Sequence, residues 1–236
     1  MRPDASTSKH LVDIGRHLIR VAIHMRDWPS VTLQAGKIGG LVTTEHAGDS
    51  QCALRHVKLA RGIASLHTGA FDEAARTFLS IPASADRSWG EQDVASPNDV
   101  AVYGAILGLA TMERPALRAE VLESAAFRPF LELEPHLRKA LGFYVNGKYK
   151  ACLEILEAYR PDYMLDIHLY KHIPALYEKI RTKCIVQYVI PYSFISLDSL
   201  SQIFGRPGEP IVREICQMIR SGALNARINS IDKVSA

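Results

Sequence analysis

Along the first two thirds of the chain, apolar residues return at steps of three and four, the spacing of one face of an α-helix. The first stripe is Leu11, Ile14, Leu18, Val21 and Met25, which predicts a helix that buries this face. Asp27-Trp28-Pro29 predicts a turn, and Pro29 suits the opening of the next helix. Val31, Ala35, Ile38 and Val42 keep the spacing there, and Cys52, Leu59, Ile63 and Leu66 give a third stripe that stops near Gly69. Phe71, Ala74 and Phe78 mark a short helix closed by Pro82, and the polar, aperiodic run over residues 83–95 reads as loop. Ser96-Pro97-Asn98-Asp99 is a helix start: Ser caps, Pro fits the first helical position and Asp the third. Val100, Tyr103, Leu107 and Ala110 follow on one face, and further helices are predicted from Pro115 and Pro135.

Part of this pattern repeats. Gly69-Ala70-Phe71 is followed by Ala74 and Phe78, and Gly147-Lys148-Tyr149 by Cys152 and Leu156 at the same offsets. Trp28, Val31 and Ala35 give a weaker third copy. In each copy a helix ends, a tight turn carries an aromatic, and a small or apolar residue lets the next helix approach. This is the layout of tetratricopeptide-type (TPR-like) helical hairpins, which stack because no single hairpin buries its own face.

The last third changes character. Leu176, Ile180, Cys184 and Tyr188 predict one more helix, and Pro191-Tyr192-Ser193-Phe194-Ile195-Ser196 a short extended segment. Ser196 is placed to cap a short helix. Ile211, Ile215, Met218 and Ile219 line another, ending at Ser221-Gly222. Leu224, Ala226 and Ile228 alternate with Asn225 and Arg227, a strand pattern, and residues 231–234 could pair back on it. Helix, strand, helix, helix, hairpin is the order of a winged helix. The expected architecture is mainly α: a TPR-like helical-repeat solenoid over residues 1–172, then a C-terminal winged helix over 173–236.

Composition supports a folded chain and narrows its chemistry. The 236 residues are 47% hydrophobic and 22% charged, which is ordinary globular usage. With 28 Lys+Arg against 25 Asp+Glu the net charge is only +3, too slight for a protein built around phosphate backbones. On the winged helix, Arg213 and Arg220 are set against Glu209 and Glu214, so nucleic-acid binding is not expected. Cys52, Cys152, Cys184 and Cys216 form no CxxC pair and sit in apolar or helical stretches, which suits free thiols in nucleus or cytosol. The start is polar, with no leader-like pattern, and no apolar run reaches the roughly 20 residues of a membrane span.

No catalytic motif emerges. Nucleophile-elbow, P-loop and dinucleotide-binding patterns are absent. His168 and His172 are four apart, but no Glu follows His168 directly, so the zinc-protease pattern fails. His10, His17 and His24 recur every seven residues, a rise of about 10 Å per step, too far to share one ion. No cofactor or metal is expected. An open sheet edge in the winged helix invites a neighbouring strand instead. The candidate interface residues are Ser193, Phe194, Ile195, Leu224, Asn225, Ala226, Arg227 and Ile228.

Helical repeats running into a winged helix are the layout of PCI domains, shared by the proteasome lid, the COP9 signalosome and a translation initiation factor complex. Several segments make the likeness specific: the run from Ser96 through Gly104 with Ala110-Thr111-Met112, Phe130-Leu131-Glu132-Leu133-Glu134-Pro135, and Ala158-Tyr159-Arg160-Pro161-Asp162-Tyr163. So do Ile185-Val186-Gln187-Tyr188, Ala226-Arg227-Ile228-Asn229-Ser230, and His10 to Gly15 with Arg26-Asp27-Trp28. In these the chain resembles the COP9 signalosome subunit 1 family, and next the paralogous proteasome-lid family. The resemblance implies a non-catalytic scaffold of nucleus and cytoplasm. It would support deneddylation of cullin-RING ubiquitin ligases, which it reaches only indirectly, as it does the metalloprotease subunit. Direct partners would be other PCI subunits, joined through winged helices. Asn229 stands where the family usually has Asp. The resemblance also implies further repeats before residue 1 and a helix after the wing, so the chain reads as a shortened family member.

Overall fold

The computed structural model describes residues 4–42, 49–82, 89, 94–206, 208–229 and 234–235. Three long helices open the chain: α1 (Asp4–Met25), α2 (Trp28–Val42) and α3 (Asp49–His67). The short α4 (Phe71–Leu79) and the buried α5 (Pro97–Thr111) follow. Next come α6 (Arg114–Ala116), running into a π-helical stretch Leu117–Leu122, then α7 (Arg128–Leu133), α8 (Pro135–Val145), α9 (Tyr149–Tyr163) and α10 (Ile173–Val189). Successive helices from α1 to α5 pack on one another, α8 packs on α9, and α10 lies against both α5 and α9. Most of the expected loop over residues 83–95 lies outside the described residues.

The repeat read from the sequence is a repeat of backbone geometry. At the end of α3, Gly69 has φ +80°, its N–H bonds Leu66 O at 3.1 Å, and the next N–H bonds Ser65 O at 2.9 Å. At the end of α8, Gly147 has φ +75°, with bonds to Tyr144 O at 3.1 Å and from Lys148 N to Phe143 O at 2.8 Å. Both are Schellman caps, which need a left-handed residue that glycine adopts without strain. The third copy has the same bonds, Arg26 N to Ile23 O at 3.0 Å and Asp27 N to Ala22 O at 2.9 Å. There the left-handed residue is Arg26 at φ +57°, the one non-glycine with positive φ among the described residues. A side chain there costs roughly 1 kcal/mol. Downstream of each turn the expected small or apolar residues are buried: Val31, Ala35, Ala74, Phe78, Cys152 and Leu156.

The first stripe does not do what periodicity predicts. Leu11, Ile14, Leu18, Val21 and Met25 are 45–76% exposed. The side of α1 that packs on α2 carries Gly15, Ile19 and Ala22, roughly 90° round the helix at 100° per residue. Small residues win this face because α2 comes close: a Cβ on Gly15 would lie 2.8 Å from Ile38. The packed residues form a compact Ala-rich cluster with Ala53, Ala60 and Ala64 of α3. A second, larger cluster runs from α3 to the C-terminal part, with Phe78, Tyr103, Phe127, Tyr144 and Phe204 fully buried. Trp28 touches both.

Both predicted N-caps form. Asp99 N donates to Ser96 Oγ at 3.2 Å while Ser96 N donates to the Asp99 carboxylate at 2.7 Å, a complete capping box. Ser196 Oγ accepts from Ser199 N at 3.1 Å and starts α11 (Leu197–Phe204). Strand β1 (Ile195–Ser196) precedes it, and α12 (Ile211–Arg220), β2 (Ile228–Asn229) and β3 (Val234–Ser235) follow. The sheet order is β1-β3-β2, antiparallel throughout: Ile195 and Ile228 both face Ser235, and Ser196 and Asn229 both face Val234. A helical-repeat solenoid closed by a winged helix is therefore the fold. The expected strand from Leu224 to Ile228 is shorter than its alternation suggests. Gly222 (φ +74°) reverses the chain, Ala223 and Leu224 bond back to Met218 O, and the ladder begins only at Ile228. Residues 231–233 of the expected hairpin lie outside the described residues.

Candidate interaction surfaces

The winged helix presents outer strands on two sides, β1 and β2, with β3 between them. Around β1, Ser193 is exposed and Phe194 is 72% exposed, while Ile195 turns inward at 8%. Ile190 and Tyr192, just upstream, are 66% and 50% exposed and extend this apolar edge, which the sequence reading did not include. Around β2, Asn225 and Arg227 are exposed, Ala226 and Ile228 are half-buried, and Leu224 is buried in the chain's own core. Leu224 thus anchors the turn and offers no side chain to a neighbour.

One buried ion pair sets the position of this unit. Arg181, on α10, donates Nε to Glu214 Oε1 at 2.6 Å and Nη2 to Glu214 Oε2 at 2.9 Å. The same guanidinium donates to Phe204 O at the end of α11. A bidentate pair of this kind fixes orientation as well as distance. Glu214 therefore turns to α10, and it does not offset Arg213 and Arg220, both of which face solvent or its edge. Two residues along α10, the half-buried Lys183 ammonium donates to Leu109 O at 2.9 Å and to Met112 O, at the end of α5. Burial lowers the Lys183 pKa, against the opposing charge of Glu113.

A histidine cluster joins the first hairpin to the loop before α10. His67 Nε2 lies 3.1 Å from His168 Nδ1, Trp28 stacks on His67 at 3.9 Å, and His172 meets His67 edge-on at 5.6 Å. Burial, then His168, His172, Arg26 and Lys171, push His67 down to about 4. Burial also lowers His168 and His172. All three are neutral at pH 7. Asp166 shapes this loop: one carboxylate oxygen accepts from His168 N at 2.8 Å and Leu169 N at 2.6 Å, the other from Tyr103 OH at 2.7 Å. Among the described residues no three His, Cys, Asp or Glu side chains are arranged to hold a metal. His10, His17 and His24 are exposed along α1. The cluster was out of reach of sequence reasoning, because His67 and His168 are 101 residues apart; only the His168, His172 spacing hinted at it. No helix of the described residues is long and apolar enough to cross a membrane.

Repeats, capped winged helix and outer strands define a PCI-type subunit, and comparison with known proteins agrees. The family model "26S proteasome subunit RPN7" matches residues 1–120 and the "PCI domain" model residues 156–234. The chain belongs to this RPN7-type family of PCI-domain proteins. It is 46% identical over 237 residues to COP9 signalosome complex subunit 1 of Neurospora crassa, covering 100% of this chain and 55% of that protein. To COP9 signalosome complex subunit 1 of Emericella nidulans it is 40% identical over 243 residues, 97% of this chain and 47% of the relative. The 26S proteasome non-ATPase regulatory subunit 6 of Dictyostelium discoideum is more distant, 25% identical over 94% of this chain and 56% of its own length. The chain spans about half the length of the curated relatives it matches.

Proposed function

We propose that this chain is a non-catalytic scaffold subunit of the COP9 signalosome, present in nucleus and cytoplasm. It supports deneddylation of cullin-RING ubiquitin ligases through protein–protein contacts. Its direct partners are other PCI subunits; the metalloprotease subunit and the ligases are reached through them. Residues 1–172 act as the repeat part and 173–236 as the winged-helix part. The higher identity to signalosome relatives than to the proteasome relative supports this reading over a lid subunit. The observation that carries it is the pair of outer strands, β1 flanked by the exposed Ile190, Tyr192 and Phe194. An outer strand beside exposed aromatics suits edge-to-edge joining with a like domain.

The test is co-expression with the other PCI subunits of the signalosome and, separately, of the proteasome lid. Co-elution with the signalosome set, lost in Phe194→Glu at unchanged thermal midpoint, is the expected result. Co-elution only with the lid set moves the chain to the paralogue, and assembly indifferent to Phe194→Glu removes the edge from the interface.

A further inference from the structure

Beside the histidine cluster, the end of α1 and the 164–172 loop enclose a cleft of about 350 Å³. It is lined by the apolar Ile23, Trp28 and Ile167 and by the cationic Arg20 and Arg26, beside the histidines. No carboxylate lines it among the described residues. Among the described residues neither arginine is paired with an acidic side chain, whereas Arg76, Arg160, Arg181 and Arg206 are. The nearest carboxylate in the loop, Asp166, has both oxygens engaged by Tyr103 and by backbone N–H groups. Ile167 is 74% exposed at the cleft's edge.

Arg26 itself points the same way. The same Schellman geometry occurs at Gly69, Gly147 and Gly222, and only here does a long cationic side chain occupy the left-handed position. Backbone strain that the neighbouring turns avoid is retained where a side chain has a task. The turn places Arg26 at a cleft that Arg20 and several apolar side chains also line.

We propose that this cleft docks a short segment of a partner protein in which an acidic side chain stands next to a large apolar one. The carboxylate pairs with Arg20 and Arg26, and the apolar side chain fills the space against Trp28 and Ile167. Charge complementarity decides the sign of the ligand, and the volume, that of one or two residues, decides its size. This docking site is separate from the winged-helix edge and does not depend on it.

The test pans random heptapeptides displayed on phage against the purified 236-residue chain. The strongest binder is then labelled and titrated by fluorescence anisotropy against the unaltered chain, Arg26→Gly and Arg20→Gln. The expected result is enrichment of Asp or Glu beside Leu, Ile, Phe or Met. Affinity should fall at least tenfold for Arg26→Gly, for Arg20→Gln, and for the peptide with its acid changed to amide. The Arg26→Gly thermal midpoint should stay level or rise, since glycine relieves the turn, so lost binding cannot be read as lost folding. Peptides without acidic preference, no enrichment at all, or variants that bind as tightly as the unaltered chain would overturn the site. Displacement by inorganic phosphate at equal concentration would overturn the peptide assignment in favour of a free anion.

Discussion

The first hairpin and the rest of the repeat stack share one turn geometry and differ in almost everything packed on it. From α4 onward, large side chains fill the interior: Phe78, Tyr103, Phe127 and Tyr144 are fully buried. Between α1 and α3 the interior is Ile19, Val31, Ile38 and Val57 among alanines, and the apolar stripe of α1 faces outward. Burial energy follows apolar area, so the stack stabilises itself from its middle, and the first hairpin leans on that middle through Trp28, His67 and the loop before α10. In a solenoid each unit is held by its neighbours. An outward stripe on the terminal helix is therefore surface that this chain does not use for its own stability.

That contrast can be broken or sharpened in order of expected effect. Phe78 is buried and packs at a tilt against Tyr103, ring centroids 5.2 Å apart, so Phe78→Ala should cost about 3–5 kcal/mol. Val21→Ala, on the exposed stripe at 59%, should fall within about 0.5 kcal/mol. Urea denaturation of both compares them, and equal losses would show that the stripe is buried after all in solution.

The joint between the regions should be sensitive to acid. Packed around His67 are Trp28 from α2, His168 and His172 from the loop and the start of α10, and the charges of Arg26 and Lys171. Its folded value, about 4, lies below the ordinary 6.5, so the unfolded chain takes up the proton first. The stabilising contribution is complete above pH 6.5 and is lost as pH falls from 6.5 toward 4. Thermal midpoints measured across that window at constant ionic strength should decline more gently in His67→Gln. Parallel profiles would exclude His67 from the joint.

The smallest effects concern the turns themselves. Gly147→Ala should destabilise by about 1 kcal/mol, because its φ of +75° is strained for any side chain. Arg26→Gly should change stability by a few tenths of a kcal/mol at most in the unfavourable direction and is expected to stabilise, relief of strain being partly offset by the looser unfolded glycine. Opposite signs at matching turn positions, read from chemical denaturation midpoints, would isolate the first turn as the exception.

Much of this fold was legible from the chain. Helix spacing, the Ser96 and Ser196 caps and the glycine-aromatic repeat are local signals, and local geometry follows them. The repeat was legible even at Trp28, where the turn lacks glycine. What was lost depends on contacts between distant segments. Periodicity shows that α1 has an apolar stripe, but which side packs was decided by how closely α2 approaches Gly15. The alternation from Leu224 to Ile228 has the period of a strand, yet the reversal at Gly222 sends Leu224 into the core. Of the edge residues, Tyr192, Ser193 and Phe194 are readable together as one extended segment, while Ile190 lies just outside it. Glu214 was readable only as one of several charges until α10 brought Arg181 to it.

The placement of α10 has a mechanical consequence. Lys183 fastens it to the end of α5, and Arg181 fastens it to α11 and α12. The helix is thus a splint, pinned at both ends of one short stretch, with no slack linker between repeats and wing. A partner that tugs on β1 or β2 displaces the centre of the stack along with it, so a neighbour gripping the wing would sense the tilt of the whole superhelix and not merely of its last unit.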